Sequence, residues 1–431
     1  MAIHRSKIQD LVDRFVPGQS LATLQARLTP KSHAPGPRLR HRPELTEDIV
    51  RANWKTLKAH TALDENDEAV LCDDDTLAEI KAFERNIENC VGTVKIPVGV
   101  AGPLRINGIF ANGDYYVPLA TTEAALVASY ARGAALITRA GGCTSLVLND
   151  TMSRAPGFVF DRAADAIQFV FWVNTQYEVL KARAEATTRH GKLQDMRVTL
   201  EGNHVYINFD YVTGNAAGQN MVTLATAAIL AHIVEFSPIQ PRQAFVEANF
   251  SGDKKASNLS FLSARGKKVS VDIVIPAAMV RKHLHCEAAK IVDYCRMAAL
   301  GGVMSGTMGV QGHFANGLAA LYLATGQDVA CVAESSVGIT RLDLTPQGDL
   351  YAAVTMPNIV AGTVGGGTHL PSQAVGQKML GLASEHSALA LAEICAATCL
   401  AGELSIMGAL SAGDFASAHA RLARGNGRNG Q

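Results

Sequence analysis

The sequence predicts a mixed α and β fold carrying an inserted α+β domain, and three features predict it. From Gly92 to Pro118 the chain is β-rich and punctuated by Gly and Pro. From Pro156 to about Phe245, helical stretches alternate with short strands, the pattern of a compact α+β insertion. Past the strand Val269 to Ile275, the chain reads as long helices rich in small residues, broken at Gly301-Gly302 and from Gly362 to Thr368.

Taken in order, residues 1 to about 90 read as polar helices interrupted by a Pro-rich, basic stretch from Pro30 to Pro43. That stretch suits an acidic partner, but a solvated linker is the simpler reading. Val94 to Leu104 (VKIPVGVAGPL) and Tyr115 to Pro118 read as strands. Thr121 to Ala140 reads as a helix with Thr121 as N-cap candidate and Glu123 in the first turn, where the helix dipole favours a carboxylate. The insertion comprises a helix over Ala163 to Arg183, strands over Arg197 to Glu201 and His204 to Tyr211, a Gly-bearing turn, and an apolar helix from Met221 to Phe236.

Composition narrows the class. The 431 residues suffice for two or three domains, and 48% hydrophobic with 18% charged residues fits a globular enzyme and excludes disorder. Lys plus Arg and Asp plus Glu number 39 each, so no global field points to nucleic acid or an anionic membrane. Local clusters must therefore meet any anionic ligand. Eight cysteines show no CxxC pair, and several, such as Cys395 and Cys399, sit in apolar stretches, which suits a reducing compartment. Met1 to Phe15 lacks an apolar signal core, and the longest uncharged apolar stretch, Met221 to Val234, falls short of the ~20 residues of a membrane helix. A cytoplasmic, unanchored protein without a metal site is expected.

Two glycine-rich segments are candidates for cradling phosphate. Gly362 to Thr368 (GTVGGGT) can turn backbone N–H groups toward an anion, although a flexible turn explains it equally well. Thr213 to Met221 (TGNAAGQNM) stands between a strand and a helix, and Thr188-Arg189-His190 upstream offers hydroxyls and a guanidinium suited to a 2′-phosphate. Neither glycine segment matches a Rossmann or P-loop fingerprint. Asp253-Lys254-Lys255, Glu123, Asp328 and His419, each taken alone, read as ordinary surface or capping groups.

Their joint context changes that reading. ENCVGTVKIPVGVAGPL (88–104), Val117 to Glu123 (VPLATTE), Asp253-Lys254-Lys255, Gly326-Gln327-Asp328, Met356-Pro357, Gly362 to Thr368 and Ala401 to Ser405 (AGELS) occur in one order. In these motifs the chain, from about residue 85 to 425, resembles the 3-hydroxy-3-methylglutaryl-CoA (HMG-CoA) reductase family, with wording closest to the eukaryote-like class I but without that type's membrane anchor.

The resemblance implies an NADPH-dependent reduction of HMG-CoA to mevalonate and CoA, with NADH as a possible substitute. Lys254 matches the family's catalytic cation, Glu123 the catalytic glutamate, Asp328 the aspartate tuning both, and His419 the donor to the departing CoA thiolate. Thr188, Arg189, His190, Asn215, Gly218, Asn220, Met221, Val364 and Gly365 fall at cofactor positions. Arg154, Glu247, Asp253, Lys255, Arg296, His313 and Asn316 fall around the acyl group, and Ser129, Arg132 and Ser405 near CoA.

Some positions depart from the family. Asn215 replaces an Asp, Gln219 a Met, Glu247 a Ser that contacts the substrate carboxylate, and Arg296 a Lys of the substrate pocket. A glutamate facing a carboxylate repels it unless a cation intervenes, and Arg296 or Lys255 is the expected cation. Two other readings stand beside the leading one. One is a reductase of a different acyl-CoA or carrier-bound thioester, prompted by Glu247 and Arg296. The other is a non-catalytic CoA-binding homologue, against which Glu123, Lys254, Asp328 and His419 together argue. For the fold, the resemblance implies α+β architecture with a large domain (91–155 and 246–431) around a long central helix. It also implies a helical N-terminal region (1–90) and an inserted ferredoxin-like cofactor domain (156–245). A homodimer or dimer of dimers with the active site between subunits is expected.

Overall fold

A computed structural model of the chain describes residues 20–31, 36–39, 44–382 and 384–413, with isolated positions before residue 20. His419 and most of the Pro30–Pro43 stretch lie outside the described residues. The chain divides into two compact units, residues 1–80 with 87–93 and residues 81–86 with 94–431. In the first unit, helix α1 (Glu47–His60) buries Ile49, Val50 and Trp54. The Trp54 indole N–H donates to the Val91 carbonyl at 2.7 Å. That bond satisfies the polar edge of a buried aromatic ring.

The second unit holds two sheets. The larger contains β1 (Val98–Gly108), β2 (Asn112–Ala120), β3 (Cys143–Asp150), β9 (Lys267–Ile275), β10 (Ile339–Leu344) and β11 (Leu350–Ile359), in the order β10-β11-β9-β3-β1-β2. Only the β1–β3 pairing is parallel. Strand β9 shows why the sheet forms: Val269, Val271, Ile273 and Ile275 are buried at every second position. The hairpin β10–β11 corrects the expectation that the region after Ile275 is helical apart from its two glycine-rich breaks. Its alternation in Ile339–Leu344 is short, and β11 is buried nearly throughout, so periodicity alone does not separate it from a buried helix.

The smaller sheet contains β4 (Met152–Arg154), β5 (Gly157–Val159), β6 (Lys192–Glu201), β7 (His204–Val212) and β8 (Gln243–Phe245). β7 is central and pairs antiparallel with β4, β5 and β6, while β8 pairs with β5. Helices α3 (Ala163–Thr175) and α4 (Tyr177–Glu185) join β5 to β6, and α5 (Gln219–Phe236) joins β7 to β8. The expected helix over Ala163 to Arg183 is thus two helices that meet at Gln176.

Helix α2 (Leu126–Arg139) starts later than expected. Ala125 is left-handed at φ 69°, and Thr121 Oγ1 accepts the Glu123 N–H at 3.0 Å. The Thr side chain thus caps its own turn, so Glu123 lies in a loop before the helix. Further on come α6 (Ala288–Ser305), α7 (Phe314–Thr325) and α8 (Ser387–Ala412).

Helix α8 is buried at nearly every position and packs against α2, α6, α7 and the larger sheet. A helix apolar all round is buried, either in a protein core or in a membrane. By length and composition α8 and α5 are each long and apolar enough to cross a membrane, but α8 is 89% buried inside the protein. Its two glutamates are anchors. Glu393 accepts the N–H groups of Phe110 and Ala111 at 3.0 and 2.6 Å. Glu403 accepts those of Gly312 and His313 at 2.7 and 2.8 Å and the Thr340 hydroxyl at 2.8 Å. None of the eight cysteines is in a disulfide, and all but the half-buried Cys286 are buried.

The contact between α2 and α8 is backbone on backbone. A Cβ built on Gly133 would sit 1.8 Å from the Ala401 carbonyl oxygen. Gly133→Ala is expected to destabilise the protein by about 2 kcal/mol, because neither helix axis can yield cheaply. Chemical denaturation checks this, and an unchanged midpoint would show that the helices separate freely.

Candidate active site

The turn Ser251–Lys255 follows β8 and presents Lys254 at its apex. Lys254 has φ 55°, an uncommon left-handed conformation for a residue with a side chain. Its Nζ lies 2.8 Å from Asp328 Oδ2, and both side chains are partly exposed. The Asp328 hydrogen bond, opposed by partial burial, holds the Lys254 ammonium above the usual lysine range. Asp328 is itself fixed, because its Oδ1 accepts the Ala330 N–H at 3.0 Å.

Below this pair lies a chain of buried charges. Arg154 Nη1, on β4, donates to Asp253 Oδ2 at 3.0 Å and to Glu247 Oε2 at 3.2 Å. Arg265 lies 2.8 Å from Asp253 Oδ1 and donates to both Glu334 oxygens at 2.8 and 2.7 Å. Burial pushes the Asp253 carboxyl up, but Arg265 and Arg154 together hold it below the usual carboxylate range. Burial dominates at Glu334 and holds its carboxyl above that range despite Arg265.

The cation facing Glu247 is therefore Arg154, which corrects the expectation of Arg296 or Lys255. Arg296 is exposed on α6 and pairs with Asp293 at 3.5 Å. Lys255 Nζ turns back to the Asp253 carbonyl at 2.8 Å.

Glu123 borders a cleft of about 400 Å³, lined among others by Thr122, Leu126, Asn316, Ala319 and Leu323. Its Oε2 accepts from Asn316 Nδ2 at 2.7 Å, and Asn316 lies in the first turn of α7. Glu123 is thus bonded to Asn316 rather than to the Lys254–Asp328 pair. His313 stands at the N-terminal boundary of the same helix without a side-chain cap, its ring 5.1 Å from Tyr130 and its Nε2 buried without a hydrogen bond. Ser129, Arg132 and Ser405 meet where α2 crosses α8: Ser129 Oγ is 2.8 Å from Ser405 Oγ, and Arg132 Nη2 donates to the Ser405 carbonyl at 2.6 Å.

The three segments assigned to a cofactor are brought together. Thr363 N–H donates to the Asn215 carbonyl at 2.8 Å, and Ala216 bridges to Val364, stitching the two glycine loops. Gly218 ends β7's turn at φ 85°, ahead of Asn220 and Met221 in the first turn of α5. The Thr188–Gly191 turn packs on Met221, with a Cβ on Gly191 falling 2.8 Å from the Met221 sulfur. Arg189 and His190 are exposed there. Asn215 is occupied structurally, since its Nδ2 donates to the Glu385 carbonyl and its Oδ1 accepts the Ala388 N–H.

The loop also reaches Asp328. Gly362 N–H donates to Gln327 Oε1 at 2.8 Å, and a Cβ on Gly326 would lie 2.2 Å from the Gly367 carbonyl oxygen. Gly365 and Gly366 both have positive φ, which only glycine adopts freely. Arg265, Glu334, Asn358 and Gln327 were not evident as site residues in the sequence. The one available signal was an acid, Glu334, standing alone in the apolar run Val329 to Val337.

Comparison finds the same fold in a solved structure. The class II HMG-CoA reductase of Streptococcus pneumoniae, solved bound to NADPH in open conformations, matches with a TM-score of 0.63 at 20% identity, over 84% of this chain and 96% of that one. At that identity the likeness is one of fold. The profile described as hydroxymethylglutaryl-coenzyme A reductase matches residues 50–424. The 3-hydroxy-3-methylglutaryl-coenzyme A reductase of Pyrococcus abyssi is 43% identical over 347 residues, 79% of this chain and 85% of that protein. That of Methanocaldococcus jannaschii is 41% identical over 354 residues, covering 81% and 87%. The chain belongs to the hydroxymethylglutaryl-coenzyme A reductase family and is an oxidoreductase.

Asp328 raises the Lys254 titration, so the lysine stays cationic to higher pH than an ordinary one. Asp328→Asn is expected to lower it, and NMR titration of the lysine Cε signals reads the change. A Lys254 titration unmoved in Asp328→Asn would mean that the pair is not coupled.

Proposed function

We propose that this enzyme reduces HMG-CoA to mevalonate and free CoA, consuming two NADPH through a hemithioacetal and then an aldehyde. The Lys254–Asp328 pair carries the reading, a fixed cation in the motif where the family keeps its catalytic lysine. Each reduction step places negative charge on the carbonyl oxygen, and the Lys254 ammonium offsets it in place. Asp328 holds that ammonium protonated and aimed. Glu123 exchanges a proton near the same oxygen, with Asn316 orienting its carboxylate. His419 protonates the departing thiolate, whose solution pKa of ~8.5 makes a donor useful near neutrality. Arg154, Asp253, Lys255 and Glu247, with His313, form the surroundings of the acyl group, and Ser129, Arg132 and Ser405 those of CoA.

The residues present fit a dinucleotide. Gly218, Gly365 and Gly366 keep backbone open beside the N-terminus of α5, whose first N–H groups suit a pyrophosphate. The Thr188 hydroxyl accepts two backbone N–H groups and keeps its own proton to donate, while the exposed Arg189 guanidinium suits a 2′-phosphate. When bound, NADPH supplies the hydride. The strand order β6-β7-β5-β8 with its two helical crossovers supports assigning residues 156–245 as a ferredoxin-like cofactor domain. Residues 91–155 and 246–431 form the substrate domain around the central helix α8, and residues 1–90 the N-terminal helical region. The working form is a cytoplasmic homodimer, or dimer of dimers, with the site between subunits.

Lys254→Ala is expected to lower kcat for HMG-CoA by at least 10²-fold, about the loss seen when a transition-state charge partner is removed. NADPH consumption at saturating substrate tests it, and full-rate turnover would refute the mechanism. Arg189→Ala is expected to raise the KM for NADPH about tenfold, the cost of one lost charge-assisted contact, and to leave that for NADH unchanged. Equal effects on both cofactors would remove Arg189 from the 2′-phosphate site.

A further inference from the structure

We propose that Glu334 is a positioning residue for the reaction: its carboxylate holds the Lys254 backbone N–H at 3.0 Å and keeps the lysine turn in its left-handed conformation. The inference rests on Lys254 being the catalytic cation. One short segment grips Lys254 at both ends. Asp328 Oδ2 takes the side-chain ammonium at 2.8 Å, and six residues later Glu334 Oε1 takes the main-chain N–H.

A left-handed residue with a side chain relaxes unless neighbouring structure holds it. Glu334 can hold it because it is itself immobile. It is fully buried, Arg265 donates to both of its oxygens, and Asn358 Nδ2 donates to Oε2 at 2.9 Å. Asn358 Oδ1 in turn accepts the Arg265 N–H at 2.6 Å, closing the support onto β11. Arg265 also pairs with Asp253, the residue just before Lys254, so the clamp touches two successive residues of the turn. A buried ion pair serving the core alone would not spend a carboxylate oxygen on the backbone of a half-exposed active-site turn.

A glutamine at this position cannot serve all three neighbours in either amide orientation: an NH₂ in place of Oε1 faces the Lys254 N–H and Arg265, and one in place of Oε2 faces Arg265 and Asn358 and pushes the side chain off its seat. In Glu334→Gln the lysine turn loosens while the groups around the acyl chain and CoA remain. The full enzyme, assayed with HMG-CoA and NADPH below its thermal transition, is expected to lose at least tenfold in kcat, with the KM for HMG-CoA within twofold. Glu393→Gln is the control, a buried carboxylate that also holds backbone N–H groups but does not touch the turn. It is expected to lower the melting temperature and keep kcat within twofold.

A folded Glu334→Gln enzyme with kcat within twofold of the parent overturns the proposal, as does a rise in KM alone. Should Glu334→Gln not fold, Asn358→Ala removes one support of Glu334 without stranding a charge. It is expected to lower kcat several-fold, and an unchanged kcat overturns the proposal. Full activity in Lys254→Ala would instead sink the reading of the site. An inactive Lys254→Ala beside a fully active Glu334→Gln sinks only the role of Glu334.

Discussion

Helix Ser387–Ala412 can lie inside the protein only because its small residues let other backbones approach it and its two glutamates find backbone donors. Gly133 meets the Ala401 carbonyl at a distance no side chain permits, and Tyr130 packs over Gly402 and Gly317. Glu393 and Glu403 enter the core as polar groups and stay because N–H groups surround them. Glu403 ties the loop before α7 to the helix, and that loop sets His313 and Asn316. Through Asn316 the same anchoring reaches Glu123, so the proposed proton-handling group depends on a buried carboxylate on another helix.

The rest of the site depends on stitching between loops. Gln327 joins the Gly362 loop to the Asp328 turn, and the Asn215 carbonyl joins that loop to the head of α5. Residues assigned to cofactor and to chemistry therefore share one hydrogen-bonded frame. Arg154 extends it, reaching the Gln219 carbonyl at 3.5 Å from the cluster that holds Asp253 and Glu247. In that cluster two guanidinium groups, Arg154 and Arg265, are shared among three carboxyl groups, Glu247, Asp253 and Glu334. Glu247 draws on a cation that Asp253 also uses, Arg154, which was already among the residues expected around the acyl group.

The segments that carried clear signals were those with local causes. Alternation marked β9, an apolar run marked α5, and glycine clusters marked the loops where positive φ is needed. Two local readings failed for physical reasons. Thr121 looked like the N-cap of a helix, but its hydroxyl captures a turn before the helix begins, which leaves Glu123 free to face Asn316. The β10–β11 hairpin was hidden because a strand buried on both faces shows no alternation.

By itself the sequence determined the family motifs and their order, since each motif is contiguous, and with them which residues are proposed to carry the chemistry. It also determined which stretches must be core, through composition and period. Only the tertiary structure decided how the groups are paired: Lys254 with Asp328, Glu123 with Asn316, and Glu247 with Arg154 rather than Arg296. It alone brought Arg265 and Glu334 beneath the lysine turn, 80 positions separating Glu334 from Lys254. The reason is that hydrogen bonds and ion pairs act over a few ångströms in space, and distance along the chain does not encode which side chains come that close.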